Sequence, residues 1–121
     1  AAVGAAIANQ EKQIICITGD GSFQMNMAEL AACVDYNLNI KVIILNNGYL
    51  GMVRQLQEKL CDCRYSETKI SNPDFVTLAQ SYNINALRVT NIDEITPALE
   101  KAFSTEGPFL IDFLVEPMET L

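Results

Sequence analysis

Apolar residues along the chain keep two rhythms. Predominantly apolar runs at residues 14–18, 40–45, 86–90 and 109–115 have the length and apolar content of buried strands. Between them apolar positions recur at helical spacing: Phe23, Met27, Leu30 and Val34; Tyr49, Met52, Val53, Leu56 and Leu60; Phe75, Leu78, Ala79 and Tyr82; Ile92, Ile95, Leu99, Ala102 and Phe103. Strand and helix alternate, which predicts an α/β fold with an open, mostly parallel sheet of about four strands and helices on both faces.

Details of the pattern sharpen this. The run at 14–18 has no polar alternation, as expected of a strand covered on both faces, whereas Arg88 interrupts 86–90 and points to a sheet edge. Met25 and Met27 read as core filling. Asn72 and Pro73 predict an N-cap followed by proline in the first helical position, and Pro97 falls near the first turn of the last helix. Residues 61–71 carry no periodicity and form a long polar loop, a candidate for ordering on ligand binding. Residues 1–8 are a small-residue helical segment without a cap, which predicts a domain truncated at its N-terminus.

The two turns that close the first two strands carry the chemistry. Ile14, Ile15, Cys16, Ile17 and Thr18 run into Gly19, Asp20, Gly21 and Ser22; the second strand runs into Asn46 and Asn47. Two parallel strands joined by a helical crossover end on one edge of the sheet, the edge where open α/β folds bind ligands. Asp20 and Asn47 would each offer a hard oxygen there. Mg²⁺ takes a few such ligands and completes its octahedron with water and phosphate oxygens. Gly19 and Gly21 would let a phosphate approach the main chain, and Ser22 would open a helix whose free N–H groups attract an anion. Taken singly each turn is an ordinary loop signal. Together, at βαβ spacing, they predict a Mg²⁺-bridged diphosphate.

Composition removes other chemistries. At 121 residues the chain reads as one domain, 1–121, and no apolar stretch is long enough to cross a membrane. The net charge is −7, with eight Lys and Arg scattered along the chain, so nucleic acid is not an expected partner. Histidine is absent, which excludes His-dependent nucleophile pairs and His-ligated metals within the chain. The four cysteines read as free thiols of a cytoplasmic protein: Cys16 and Cys33 as small buried hydrophobes, Cys61 and Cys63 as loop residues without the second pair a soft-metal site needs. Asp112, inside the last strand, reads as a structural group that satisfies backbone or lies exposed.

Gly19, Asp20 and Gly21, a spacer, then Asn46 and Asn47 match the thiamine-diphosphate signature. The following Gly48, Tyr49, Leu50, Gly51, Met52, Val53, Arg54 and Gln55 resemble the large (catalytic) subunit of acetolactate synthase (acetohydroxyacid synthase), and Ala1, Ala2, Val3, Gly4, Ala5, Ala6, Ile7 and Ala8 are similar to the helix before that signature. The resemblance covers essentially the whole chain but only the C-terminal, diphosphate-binding domain of that enzyme. It implies that Asp20, the Asn47 side chain and the Tyr49 main-chain carbonyl ligate Mg²⁺. It further implies that Gly19, Gly21, Ser22, Gly51 and Met52 contact thiamine diphosphate, that Asn46 holds the turn, and that Met52, Val53 and Leu56 approach the substrate pocket, Leu56 standing where tryptophan is common.

The activity so implied is decarboxylation of pyruvate and condensation of the two-carbon unit with a second 2-oxo acid, in branched-chain amino-acid biosynthesis. The activating glutamate is expected on an N-terminal domain of a neighbouring subunit and the FAD site on a middle domain. No catalytic residue is therefore expected here, and the chain alone should bind Mg²⁺ and cofactor weakly and turn over nothing. A homo-oligomer, with a possible regulatory small subunit, is implied as the assembly. Two alternatives stand: the diphosphate domain of another thiamine-diphosphate-dependent 2-oxo acid decarboxylase, and a non-catalytic flavodoxin-like interaction domain.

Overall fold

The structure of the protein is a computed structural model that describes residues 1–117; residues 118–121 of the expected domain lie outside the described residues. The chain runs α1 (Ala2–Ala8), β1 (Ile14–Gly19), α2 (Asp20–Gln24), a 3₁₀ turn (Met27–Glu29), α3 (Leu30–Asp35), β2 (Ile40–Asn46), α4 (Gly51–Leu60), α5 (Phe75–Ser81), β3 (Asn85–Val89), a second 3₁₀ turn (Ile92–Glu94), α6 (Ile95–Ser104) and β4 (Phe109–Leu114). The four strands form one parallel sheet in the order β1-β2-β4-β3. All strand carboxyl ends thus share one edge, and β3, with Arg88, lies at a border of the sheet as its sequence predicts.

Two apolar clusters flank the sheet. On one face α1, α2, α3 and α5 bring Ala6, Phe23, Cys33 and Phe75 onto Ile40, Val42, Ile44 and Leu110. The Phe23 and Phe75 rings meet edge to face at 5.4 Å and tie α2 to α5. On the other face α6 lays Ala98 and Ala102 over Val89, Phe109 and Ile111. Burying a side chain such as Ile44 or Phe75, both 0 % exposed, contributes about 1.5–3 kcal/mol each.

Several sequence expectations are corrected. β1 is not covered on both faces: Ile14 and Cys16 pack on the first cluster, but Ile15 and Ile17 are 50 % and 68 % exposed, because β1 is the other border strand and α6 packs mainly on β3 and β4. The single crossover helix is broken into α2, a 3₁₀ turn and α3, so Met25 (76 % exposed) and Met27 (36 %) fall around the break and do not fill the core. α4 begins at Gly51 and not at Gly48, whose φ of +72° is closed to a helix. Asn72 is not the cap of α5; Asp74 is, its carboxylate accepting the Thr77 N–H at 2.9 Å. Pro97 is accommodated within the first turn of α6, where its missing N–H has no intrahelical partner.

The segment 61–71 is held in place. Leu50 N–H donates to the Thr68 carbonyl (2.7 Å) and Ile70 N–H to the Gly48 carbonyl (2.9 Å), pairing Tyr49 with Lys69 in an antiparallel bridge. The Arg54 guanidinium lies 4.7 Å from the Tyr49 ring and 4.9 Å from the Tyr65 ring, a second clamp on the same segment.

Candidate functional site

At the carboxyl edge of the sheet, Asp20 follows β1 as the first residue of α2 and is 2 % exposed. Burying a carboxylate is costly unless donors face it, and three do. Its Oδ1 accepts the Gly21 N–H at 3.0 Å, while its Oδ2 accepts the Gly48 N–H at 2.8 Å and the Asn72 Nδ2–H at 2.7 Å. A carboxylate has roughly four lone-pair directions, so Oδ1 keeps one for a further ligand. Gly48 is the residue after Asn47, so this contact stitches the β1 and β2 turns together.

Asn47 follows β2, and its Oδ1 accepts the Tyr49 N–H at 3.0 Å, closing a side-chain turn that leaves one carbonyl lone pair open. The ladder to 68–70 is carried by the neighbours of Tyr49, namely the Gly48 carbonyl and the Leu50 N–H. Asp20, Asn47 and Tyr49 all line one cleft of about 580 Å³. Among the described residues no group of three or more His, Cys, Asp or Glu side chains is placed to hold a metal. The donor set here is instead one carboxylate, one amide oxygen and a main-chain carbonyl. That set fits a hard cation that fills its remaining positions with water and phosphate oxygens.

The predicted residues distribute as follows. Gly19, Asp20, Ser22, Asn47, Tyr49, Gly51, Met52 and Val53 line this cleft. Gly21 does not line it. A Cβ at Gly21 would sit 2.8 Å from Leu50 Cδ2 and 3.3 Å from Ile70 Cδ1, so the residue is small because the 48–50 and 68–70 segments pack on it, whereas no atom lies within 4 Å of a Cβ built on Gly19. Leu56 lies one turn beyond Met52 on α4, is 49 % exposed, and is not among the cleft residues. Leu45, Leu50 and Val115 add apolar wall, and Glu116 a second carboxylate.

Behind the cleft lies a polar chain that the sequence pattern did not disclose. Asp112 is neither exposed nor a partner of backbone, which corrects its expected role: it is 0 % exposed, its Oδ1 accepting Asn46 Nδ2–H (2.9 Å) and its Oδ2 Arg88 Nε–H (3.0 Å). Arg88 reaches on to the Asp74 carboxylate at 3.0 Å. The Asp112 hydrogen bond and charge hold the Arg88 guanidinium above its ordinary pKa, while the Thr77 N–H and then Arg88 hold the Asp74 carboxyl below its own. Asn46 Oδ1 in turn accepts the Asn72 Nδ2–H at 2.8 Å. The signal for this chain was Asp112 itself, since a carboxylate inside a buried strand requires partners; which partners is a matter of register, Asp112 standing opposite Arg88 on β3.

Residues 1–113 match the family described as thiamine pyrophosphate enzyme, C-terminal TPP binding domain. The chain is 49 % identical over 121 positions to an acetolactate synthase large subunit of Cyanidium caldarium, covering 98 % of this chain and 21 % of that protein. It is 39 % identical over 122 positions to the acetolactate synthase isozyme 2 large subunit of Escherichia coli (strain K12), covering 100 % of this chain and 22 % of that protein. Among solved structures it superposes on the thiamine diphosphate-dependent 4-hydroxybenzoylformate decarboxylase of Rhodococcus jostii RHA1 with a TM-score of 0.89 and 30 % identity, covering 98 % of this chain and 23 % of that one. The chain spans about a fifth of the length of the curated relatives it matches.

Proposed function

This chain belongs to the thiamine pyrophosphate enzyme family, as its C-terminal TPP-binding domain, and from that premise we propose that it is the diphosphate-binding domain of an acetolactate synthase large subunit. In this reading Asp20, the Asn47 amide oxygen and the Tyr49 carbonyl hold Mg²⁺. Gly19, Ser22, Gly51 and Met52 surround the diphosphate, Gly21 supports the turn from behind, and Met52 and Val53 border the substrate. The observation that carries it is that Asp20 and Asn47, each with a side-chain oxygen that keeps a lone pair, line one cleft on strand ends stitched by the 2.8 Å contact of Asp20 to Gly48.

When bound, the cofactor supplies the electron sink for decarboxylating pyruvate and joining the two-carbon unit to a second 2-oxo acid. The residues of this chain do the holding. Asp20 brings negative charge to the metal from a buried position that three N–H donors keep fixed. The apolar wall of Leu45, Met52, Val53 and Val115 turns water away from the reacting end. No residue of the chain is assigned a proton transfer in this reading; the activating glutamate and the FAD site belong to other domains of the whole enzyme, of which residues 1–121 form one domain. A homo-oligomer acting on 2-oxo acids in the cytoplasm, with a possible regulatory small subunit, completes it. Among the described residues no helix is long and apolar enough to cross a membrane.

Calorimetric titration with thiamine diphosphate tests the reading: heat of binding should appear with Mg²⁺ and vanish without it. Binding that ignores Mg²⁺, or none at millimolar ligand, contradicts it. The fit to a decarboxylase structure keeps a second reading, the same domain in another 2-oxo acid decarboxylase. The products of the whole enzyme with pyruvate decide between them, acetolactate for the first and free aldehyde for the second. The flavodoxin-like interaction domain is set aside by the family match over residues 1–113.

A further inference from the structure

We infer that Asn72 is a positioning residue of the cleft: its amide fixes the Asp20 carboxylate, and hence which oxygen of that carboxylate a metal ion can reach. The inference rests on the metal-and-diphosphate reading above and concerns a side chain to which that reading gives no part. Asn72 uses both hydrogens of one nitrogen, one on Asp20 Oδ2 at 2.7 Å and one on Asn46 Oδ1 at 2.8 Å. Its own oxygen accepts from Gln24 Nε2, which also donates to the Ser71 carbonyl. A carboxylate and a main-chain carbonyl can only accept, so every amide in this chain has one possible orientation.

The far end is anchored as firmly. Asn46 cannot turn toward Asp20 because its Nδ2 is held by Asp112, which is 0 % exposed and fixed in turn by Arg88. Asn72 is thus a strut between a rigid point on β2 and the Asp20 carboxylate on α2, the one side chain among that carboxylate's three donors. Two donors on Asp20 Oδ2 against one on Oδ1 saturate the first oxygen and leave the second the one with a lone pair for a further ligand. Removing the strut leaves Asp20 Oδ2 a lone pair that competes for the ion and frees the carboxylate to rotate. Partners that orient metal ligands in this way are typically worth about 10- to 100-fold in metal affinity.

The test compares Asn72→Leu, near Asn in shape but without donors, with Asn91→Ala, which removes the side-chain hydrogen bonds of Asn91 to Thr90 and Glu94 at the 3₁₀ turn before α6. For each variant the melting temperature is taken without ligand, and the thiamine diphosphate dissociation constant and the Mg²⁺ concentration for half-maximal binding are measured by calorimetry. Asn72→Leu is expected to raise both binding constants about tenfold or more, while Asn91→Ala lowers the melting temperature and leaves both within twofold. The electron paramagnetic resonance of Mn²⁺ in the Mg²⁺ site should also change in Asn72→Leu and not in Asn91→Ala. Unchanged binding constants in Asn72→Leu, whatever its melting temperature, overturn the inference while the cofactor reading stands, provided Asp20→Ala abolishes binding. Absence of Mg²⁺-dependent binding in the unsubstituted protein overturns both. Should Asn72→Leu fail to melt cooperatively, Gln24→Ala, which releases the Asn72 oxygen, is expected to weaken binding by less than the roughly 10- to 100-fold of a direct partner but measurably, and binding indistinguishable from that of the unsubstituted protein overturns the inference.

Discussion

Asp20 shows how little freedom a buried carboxylate has. Asp20→Asn keeps its shape but turns an N–H toward the Gly48 and Asn72 donors or into the cleft. The expected result is loss of Mg²⁺-dependent cofactor binding by at least about tenfold together with about 1–3 kcal/mol of stability, read by calorimetry and by urea denaturation. At the opposite border of the sheet Asp74 makes a pH prediction. Its carboxyl is held below the ordinary value of 3.8, first by the Thr77 N–H and then by Arg88. A carboxyl lowered on folding stabilises the folded state above its unfolded pKa, and that contribution is lost as pH falls through the folded value. Thermal stability should therefore drop below about pH 4, and Asp74→Asn should flatten that part of the profile; an unchanged slope contradicts the assignment.

Elements were legible in the sequence where one force set them and illegible where two competed. β2 and β4 are central strands, and their apolar runs, interrupted only by Lys41 and Asp112, say so. The crossover after Gly21 has a helical stripe at Phe23 and Leu30, but Asn26 and the 3₁₀ turn at Met27–Glu29 interrupt it, and a periodicity count passes over a break that leaves the next apolar residue in phase. Asn72 and Pro73 carry a good capping pattern, yet the next acidic side chain, Asp74, takes the cap and Asn72 is drawn into the cleft by Asp20. Lys41 is a residue no pattern explains: at the start of β2 it is 0 % exposed, and its ammonium donates to the Thr105 and Gly107 carbonyls, each at 2.6 Å, just past the C-terminus of α6. Burial lowers its pKa from the usual 10.5. Free carbonyls at a helix end attract a cation, and Lys41→Met would leave both without a donor. A loss of about 2 kcal/mol in urea denaturation is expected; an unchanged midpoint would mean that these carbonyls find other partners.

Across the whole molecule the two turns of the cleft could be read from the sequence, because Gly19 to Ser22 and Asn46 to Tyr49 are contiguous, whereas the polar network from Asp74 through Arg88, Asp112, Asn46 and Asn72 to Asp20 joins β3, β4 and β2 to the start of α2 and exists only once register is set. The same global arrangement decides which apolar residues stabilise the fold. Ile44→Ala, at 0 % exposure, should cost about 2–5 kcal/mol, and Ile17→Ala, at 68 % on border strand β1, less than about 0.5 kcal/mol; equal losses would contradict the sheet order. The convergence of Asp20 and Asn47 is tested most directly by crystals grown with Mn²⁺ and thiamine diphosphate, using the anomalous signal of the metal. A single peak bonded to Asp20, the Asn47 amide oxygen and the Tyr49 carbonyl is the predicted result; a metal bound at Glu116 or elsewhere, with Asp20 still turned to Gly48 and Asn72 alone, would contradict it.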